Sequence, residues 1–240
     1  MQSPFSNIPP VVKNLLIINI ICFIPFLILG EAGYAEKIVA NFGVFYFNSP
    51  FFKPWQIVTY MFLHGGWAHI FFNMFALFSF GPIVEYSIGS KKFFNLYFIC
   101  GIGAIVFQML VQAIEVYHFT GGFTIINPQL NSSFGQYGQI VGQKLFDIYT
   151  TPIVGASGAI FGLLIAFGML YPNMELMIMF IPVPVKAKYI IPVYVVIELF
   201  MGVGQFGGDN VAHFAHIGGA IIGFIMVKAW GLQKPNNNMY

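Results

Sequence analysis

The chain has 240 residues, of which 58% are hydrophobic and few are charged, 10 of them basic and 8 acidic. Apolar runs recur from one end to the other, a pattern that a water-soluble domain of this size does not need. All ten basic residues are lysines and the formal net charge is +2, so the charge pattern gives no reason to expect a nucleic acid partner. The composition predicts a multi-pass integral membrane protein that lies in a lipid bilayer.

Six apolar windows are long enough to cross about 30 Å of hydrocarbon as helices that rise about 1.5 Å per residue. We therefore predict an all-α bundle of six transmembrane helices that forms one domain and ends in a short polar tail. The first window is longer than a signal-peptide core, so we expect it to remain in the protein. In chain order the predicted spans are residues 11–29, 68–86, 93–114, 153–171, 189–205 and 211–230, and the tail is residues 233–240.

The lysines divide unevenly between the two sets of loops that this arrangement creates. Seven lie on the side that holds both termini and three on the other, so the positive-inside rule predicts that both termini are cytoplasmic. The second, fourth and sixth spans then start at the outer face. On those spans Asn73, Ser157 and His216 each lie about five to seven residues below that face, a depth of about 7 to 10 Å.

Two of the predicted outer loops are long. The first, residues 30–67, is rich in aromatic residues and is typical of an interfacial or partly embedded segment. The second, residues 115–152, is rich in Gly, Gln and Asn without sustained periodicity, so we expect a short helix there at most. Cys22 and Cys100 fall inside apolar windows and form no paired-thiol motif, so no disulfide is expected.

Two polar side chains, Ser157 and His216, carry the strongest indication of chemistry. A polar group within a bilayer is costly and needs a partner, a cavity or a task. A serine among glycines is often structural, because it can bond to its own helix and allows close packing. A buried neutral imidazole, in contrast, needs partners for both ring nitrogens. A serine activated by a histidine base is an arrangement that these two residues can form.

Glycines line both helix faces that would carry these two groups. On the sixth span they follow the histidine by three and seven positions, which puts them on its face of the helix. On the fourth span they lie beside the serine. Such faces allow two backbones to touch, so we expect hydroxyl and imidazole to come within hydrogen-bonding reach. The supporting glycines are Gly155, Gly158, Gly219 and Gly223.

Attack by Ser157 would create an oxyanion, which needs hydrogen-bond donors already in position. His69 and Asn73 are four residues apart and therefore share one face of the second span. The backbone N–H groups around Ser157, at the start of the fourth span, add the positive end of a helix dipole. His64 lies in the loop before the second span, where it could support that loop.

No carboxylate is expected at the depth of His216. Asp209 lies in the loop above it, and Glu198 lies deep in the fifth span. A Ser-His dyad is therefore predicted rather than a triad. His213 precedes His216 by three residues and lies nearer the surface, where it either takes part in the site directly or caps and packs the loop.

Two other classes of site fit parts of the pattern. The four imidazoles named above could converge on a metal ion, but no His-Glu-x-x-His motif or cysteine ligand accompanies them. Glu85 and Glu198 could relay protons in a transporter, but paired broken helices are not evident. Glu85 also lies near the cytoplasmic end of the second span, where a capping or anchoring role fits better. We therefore expect no metal and no organic cofactor.

Three segments, in this order, resemble the signatures of the rhomboid family of intramembrane serine proteases: residues 62–74, 155–158 and 215–219. The resemblance extends over nearly the whole six-helix core. Many relatives carry a Trp-Arg pair in the first loop, whereas this chain has no arginine, and its loop of residues 115–152 is longer than the minimal family core.

The resemblance implies a function and a role for each site residue. Ser157 would be the nucleophile, His216 the general base, and His69, Asn73 and the Ser157 backbone amide the oxyanion hole. Family members cleave single-span membrane proteins near the outer end of their helix, which implies transmembrane protein substrates. We expect a prokaryotic plasma membrane with the site opening to the outer face, although the sequence itself does not identify the membrane. The alternative is a catalytically silent relative that binds transmembrane clients. The sequence indicates neither a natural substrate nor an oligomeric state.

Overall fold

A computed structural model describes residues 8–29, 34–125, 132–178, 181–204 and 212–233. A short 3₁₀ turn, Tyr60–Phe62, lies between two of the helices, and an antiparallel hairpin of strands β1 (Glu175–Ile178) and β2 (Ile181–Lys186) lies between two others. In chain order the helices are α1 (Pro10–Leu29), α2 (Tyr34–Phe42), α3 (Gln56–Thr59), α4 (Trp67–Ile88), α5 (Ser90–Thr120), α6 (Ser132–Gly135), α7 (Gln139–Thr150), α8 (Ser157–Leu170), α9 (Ala187–Gly204) and α10 (His213–Ala229).

The predicted all-α, polytopic membrane class is confirmed. Four of the described helices, α1, α4, α5 and α9, are long and apolar enough to cross a bilayer. The other two predicted spans correspond to α8 and α10, which are apolar but have only 14 and 17 residues. The count of six spans and the cytoplasmic termini stay predictions. Residues 234–240 of the predicted tail, and the predicted span ends at residues 205 and 211, lie outside the described residues.

Helix boundaries differ from the prediction at two places that matter. Helix α5 is longer than the predicted third span, residues 93–114, because it runs for 31 residues and continues into the loop that follows that span. The helix of the predicted fourth span starts after residue 153, because that residue pairs as an isolated bridge with Val44 instead of joining the helix. As a result α8 begins at Ser157 itself.

Helix α8 lies at the centre of the bundle, where it packs against α4, α5 and α10. Its residues Leu163, Ala166 and Phe167 are almost fully buried. Helices α1 and α9, in contrast, leave large apolar side chains exposed, such as Ile28 and Val203, as expected for surfaces that face lipid. The shortest apolar helix of the bundle is therefore also one of its most enclosed.

The first of the two loops predicted to be outer is folded around the buried amide of Gln56. Its Oε1 accepts a hydrogen bond from the backbone N–H of Lys53 at 2.9 Å, and its Nε2 donates to the carbonyl oxygens of Phe51 and Asn41 at 3.2 and 3.3 Å. Lys53 and Trp55 add side-chain bonds to Asn41. A neutral amide can both donate and accept hydrogen bonds. The Gln56 amide therefore connects several segments of this loop without an arginine.

The second of these predicted loops packs on the first. It holds more helix than the one short helix expected, since α6 and α7 and the end of α5 all lie in it. The Ser49 hydroxyl donates to the Tyr149 carbonyl oxygen at 2.6 Å. The Tyr46 hydroxyl donates to the Phe123 carbonyl oxygen at 2.8 Å. Burial of its ring raises the pKa of Tyr149 to about 12, so the phenol stays protonated. The two loops thus pack together as one layer, and the second of them continues directly into residue 153, just before α8.

Glu85, near the end of α4, caps the start of α1. Its buried carboxylate accepts the backbone N–H groups of Val11 and Val12 at 3.1 and 2.8 Å and the Ser90 hydroxyl at 2.7 Å. The first N–H groups of a helix lack partners within the helix, and a negative charge there also interacts favourably with the helix dipole. The anchoring role expected for Glu85 is therefore present, but the helix that it caps is α1.

Substituting Glu85→Gln removes the charge and one of the two acceptor oxygens. We expect the free energy of unfolding to fall by about 1–3 kcal/mol, because buried backbone N–H groups lose an acceptor. Thermal or denaturant unfolding in detergent measures this loss. The exposed Glu36 offers the matched control, since Glu36→Gln should change stability by less than about 0.5 kcal/mol. Equal stability of the two variants would contradict the capping role.

Candidate active site

Ser157 is the first residue of α8, directly after Ala156 at the N-cap position. The chain before it is held away from the helix, because Gly155 has φ of +131° and its backbone N–H donates to the Tyr60 carbonyl oxygen at 2.9 Å. A side chain at Gly155 would be strained, and its Cβ would lie 2.6 Å from Nε2 of His69. The serine therefore stands at the positive end of a helix, beside a space that only glycine leaves open.

His216 lies one turn into α10 and faces Ser157. Its Nε2 is 2.7 Å from Oγ of Ser157, a hydrogen-bond distance. The imidazole stacks on the ring of Phe161, with centroids 4.5 Å apart and planes at 9°, and Phe161 in turn stacks on Tyr194 of α9. The sequence prediction did not include these two aromatic residues. Their stacked rings define the plane in which the imidazole lies.

Glycines allow α8 and α10 to come into backbone contact beneath this pair. A Cβ placed on Gly219 would lie 1.9 Å from the carbonyl oxygen of Gly158, and one on Gly223 would lie 2.6 Å from that of Gly162. No side chain fits at either distance. The structure thus brings the predicted glycine faces together, and the contact sets the separation of Ser157 and His216.

Glu198 of α9 lies beside the imidazole, where no carboxylate was expected. Its Oε2 is 2.8 Å from Nδ1 of His216 and 2.6 Å from Nδ1 of His213. The expected depth was wrong because Glu198 is only six residues before Gly204, the end of α9, and α9 packs along α10. Asp209, the other candidate carboxylate, lies outside the described residues. The prediction that His216 has no acidic neighbour is therefore wrong.

His69 presents one ring nitrogen to the space beside Gly155. Its Nδ1 accepts the backbone N–H of Gly65 at 3.3 Å, so in the neutral ring the proton is on Nε2. A Cβ on Gly155 would lie 2.6 Å from this nitrogen and 3.5 Å from Oγ of Ser157, so both atoms border the same space. Asn73 is one turn further along α4, is buried, and donates one amide N–H to the His69 carbonyl oxygen at 3.0 Å.

His64 packs behind His69, with ring centroids 5.0 Å apart. Burial, and to a lesser extent the His69 ring, lowers the pKa of His64 to about 3, so this imidazole is neutral at physiological pH. It lies in the loop directly before α4, as the sequence predicts for a supporting residue. Its contribution is to pack the ring that borders the space beside Gly155.

Among the described residues, the potential metal ligands that lie close enough to share an ion are Glu198, His213 and His216. The separations of 2.6 and 2.8 Å between their atoms are those of hydrogen bonds. A tetrahedral zinc ion with bonds of about 2.0–2.1 Å keeps its ligand atoms about 3.3 Å apart. The geometry therefore describes a hydrogen-bonded cluster that satisfies its own polar atoms.

The glycine contact predicts a steep cost for any added side chain. In Gly219→Ala the new methyl group collides with backbone, so the two helices must separate, and we expect a stability loss of about 1–3 kcal/mol together with loss of the Ser157–His216 hydrogen bond. Thermal unfolding and the labelling rate of Ser157 by a serine-reactive probe measure both effects. In Gly135→Ala, where nothing lies within 4 Å, both should stay unchanged. Normal labelling of Gly219→Ala would contradict this account.

Comparison with known proteins gives a consistent result. The profile of the family described as Rhomboid domain matches residues 52–232. The chain is 33% identical over 180 residues to Rhomboid protease GluP of Bacillus subtilis and 31% identical over 185 residues to Rhomboid protease AarA of Providencia stuartii. These alignments cover 75% and 73% of this chain but 27% and 56% of the relatives, so the chain spans between about a quarter and a half of their length. Rhomboid protein 1, mitochondrial, of Saccharomyces cerevisiae is 26% identical over 75% of this chain and 42% of its own length.

Proposed function

The chain belongs to the rhomboid family, and on that premise we propose that it is an intramembrane serine endopeptidase with Ser157 as nucleophile and His216 as general base. The observation that carries the proposal is the 2.7 Å separation of Ser157 Oγ and His216 Nε2, the hydrogen bond through which a base activates a hydroxyl. The substrates would be transmembrane proteins with a single span.

In the proposed reaction His216 Nε2 takes the Ser157 proton as Oγ attacks the carbonyl carbon of the scissile peptide bond. The oxyanion that forms would be met by His69 Nε2–H, by the Asn73 amide and by the backbone N–H of Ser157 at the positive end of α8. The protonated His216 then gives its proton to the leaving amine, and an acyl-enzyme remains. A water molecule, deprotonated by His216, hydrolyses that ester and restores the serine.

The length of α8 supports a site below the membrane surface. Its 14 residues rise about 21 Å, roughly 9 Å less than the hydrocarbon thickness. If the far end of α8 reaches the opposite interface, Ser157 lies about 9 Å deep, in line with the depth of about 7 to 10 Å inferred from the sequence. Peptide bonds in a helix are shielded by their own hydrogen bonds, so a substrate must unwind locally before Oγ can reach its carbonyl carbon.

The orientation that we propose puts both termini in the cytoplasm and the site at the outer face of a prokaryotic plasma membrane, on the basis of the lysine distribution. The chain's relatives include proteins named as mitochondrial and chloroplastic, so the type of membrane needs its own test. Labelling single cysteines in the loops of intact cells with a membrane-impermeant reagent would measure the orientation.

The second candidate is a catalytically silent family member that binds a transmembrane client. It shares the fold and the lipid-facing surfaces with the protease. A paired serine and imidazole favours the protease, because client binding needs no hydroxyl beside a base. The two candidates differ in one measurable outcome, the appearance of cleaved product.

Cleavage of a model single-span substrate in liposomes tests the function. We expect the purified protein to cut near one end of the span. The cleavage rate of Ser157→Ala should be lower by more than about 10³-fold, because the nucleophile is gone. Ser87→Ala is the matched control, because Ser87 lies near the far end of α4, and it should cleave normally. If the wild-type protein cuts none of several substrates and a serine-reactive probe does not label Ser157, the client-binding function replaces the protease.

The oxyanion donors make a separate prediction. Asn73→Leu removes an amide donor at nearly constant volume and should lower kcat by about 10 to 10³-fold with little change in KM, because the donor acts in the transition state. Steady-state kinetics in detergent measure both constants. The exposed Asn14 provides the control Asn14→Leu. A rise in KM at constant kcat would instead assign Asn73 to substrate binding.

A further inference from the structure

We propose that Glu198 is the positioning residue of the active site, so that Ser157, His216 and Glu198 act as a triad anchored by His213. The proposal rests on the proposed protease function and deepens it. Oε2 of Glu198 reaches Nδ1 of His216 at 2.8 Å, while Nε2 of the same ring reaches Oγ of Ser157 at 2.7 Å. The three groups therefore form one continuous line of hydrogen bonds.

The carboxylate determines which nitrogen of His216 carries the proton. An ionised carboxylate only accepts hydrogen bonds, so the ring nitrogen beside it must be the protonated one. With the proton on Nδ1, the lone pair of a neutral imidazole is on Nε2, the atom that faces the serine hydroxyl. Without the carboxylate the opposite tautomer is free to form, and in that tautomer Nε2 cannot accept the Ser157 proton.

The same carboxylate balances the charge that appears during the reaction. When Nε2 takes the serine proton, the ring becomes a cation in a buried site, where His216 is 8% exposed. A negative charge 2.8 Å away stabilises that cation. The effect exists only while the ring is charged, so it lowers the barrier rather than the energy of the bound substrate.

His213 holds the carboxylate in position. Its Nδ1 lies 2.6 Å from the oxygen that also meets His216, so this single oxygen bonds to two imidazoles on one face of α10. Two donors also lower the cost of burying the carboxylate, which is itself 8% exposed. The direct role left open for His213 in the sequence is thus assigned as second donor to Glu198.

Aromatic stacking fixes the plane of the His216 ring, so only the rotation of the ring within that plane remains to be set. Phe161 covers one face of the imidazole, and Tyr194, one turn before Glu198 on α9, backs Phe161. Stacking sets the ring plane but not its rotation within that plane. The bond from Nδ1 to Glu198 supplies that second constraint, so α8 sets the plane of the ring and α9 sets its rotation.

The test compares Glu198→Gln with wild type in the liposome cleavage assay. We expect kcat to fall by about 10² to 10⁴-fold while KM stays within about two-fold, because an amide can donate to Nδ1 and favour the wrong tautomer. The matched control is Glu36→Gln, in the outer helix α2, which should retain wild-type kinetics. Thermal unfolding of each variant accompanies the kinetics.

Three further measurements separate positioning from a structural role. Glu198→Asp keeps the charge, so its kcat should be at least about ten-fold higher than that of Glu198→Gln. His213→Gln should lower kcat less than Glu198→Gln does. In a His216→Ala background, Glu198→Gln should not slow the residual probe labelling of Ser157 further, since the group on which it acts is gone.

Several results would overturn the proposal. The first is a kcat within two-fold of wild type for Glu198→Gln. The second is that Glu198→Gln slows probe labelling of Ser157 equally in the presence and absence of His216. The third is loss of cleavage on addition of a chelator, which would make the cluster a metal site. If Glu198→Gln fails to fold, the Asp and His213 variants carry the same comparison. These results differ from the one that would contradict the protease function itself, in which wild type and Ser157→Ala would show the same behaviour in the cleavage assay.

Discussion

The backbone contact between α8 and α10 is the constraint on which the rest of the structure depends. Gly158 and Gly219, and one turn further on Gly162 and Gly223, allow the two helices to approach so closely that no Cβ fits between them. Without a hydrophobic effect to drive helices together in lipid, such close packing is a main source of their association. It also brings a hydroxyl and an imidazole from distant parts of the chain to 2.7 Å.

The polar groups of the candidate site are joined by hydrogen bonds. Ser157 bonds to His216, His216 to Glu198, and Glu198 to His213, so these four side chains are connected from end to end. On α4 the Glu85 carboxylate meets backbone N–H groups of α1. In a bilayer an unpaired polar group has no water to bond to, so such connected networks are the arrangement that membrane helices tolerate.

The two long loops do more than connect helices. The Gln56 amide folds the first loop, and Val44 of that loop pairs with Ile153 just before the site. This pairing and the positive φ of Gly155 end the extended segment, so that α8 begins at the serine. A helix starting four residues earlier would bury Ser157 in mid-helix and remove its exposed N–H from the site. Loop structure, α8 length and proposed oxyanion hole are therefore parts of one arrangement.

The sequence by itself determined the membrane class, the approximate helix positions, and the identity of Ser157, His216, His69, Asn73 and the glycines as candidates, because apolar length and small-residue spacing are local properties of the chain. It could not assign Glu198, since a polar residue in an apolar span shows that a partner is needed but not which one. That choice was decided by the packing of α9 on α10, which sets Glu198 level with His216. The start of α8 was likewise decided by tertiary structure, because Ile153 pairs with Val44, more than a hundred residues away, instead of extending the helix.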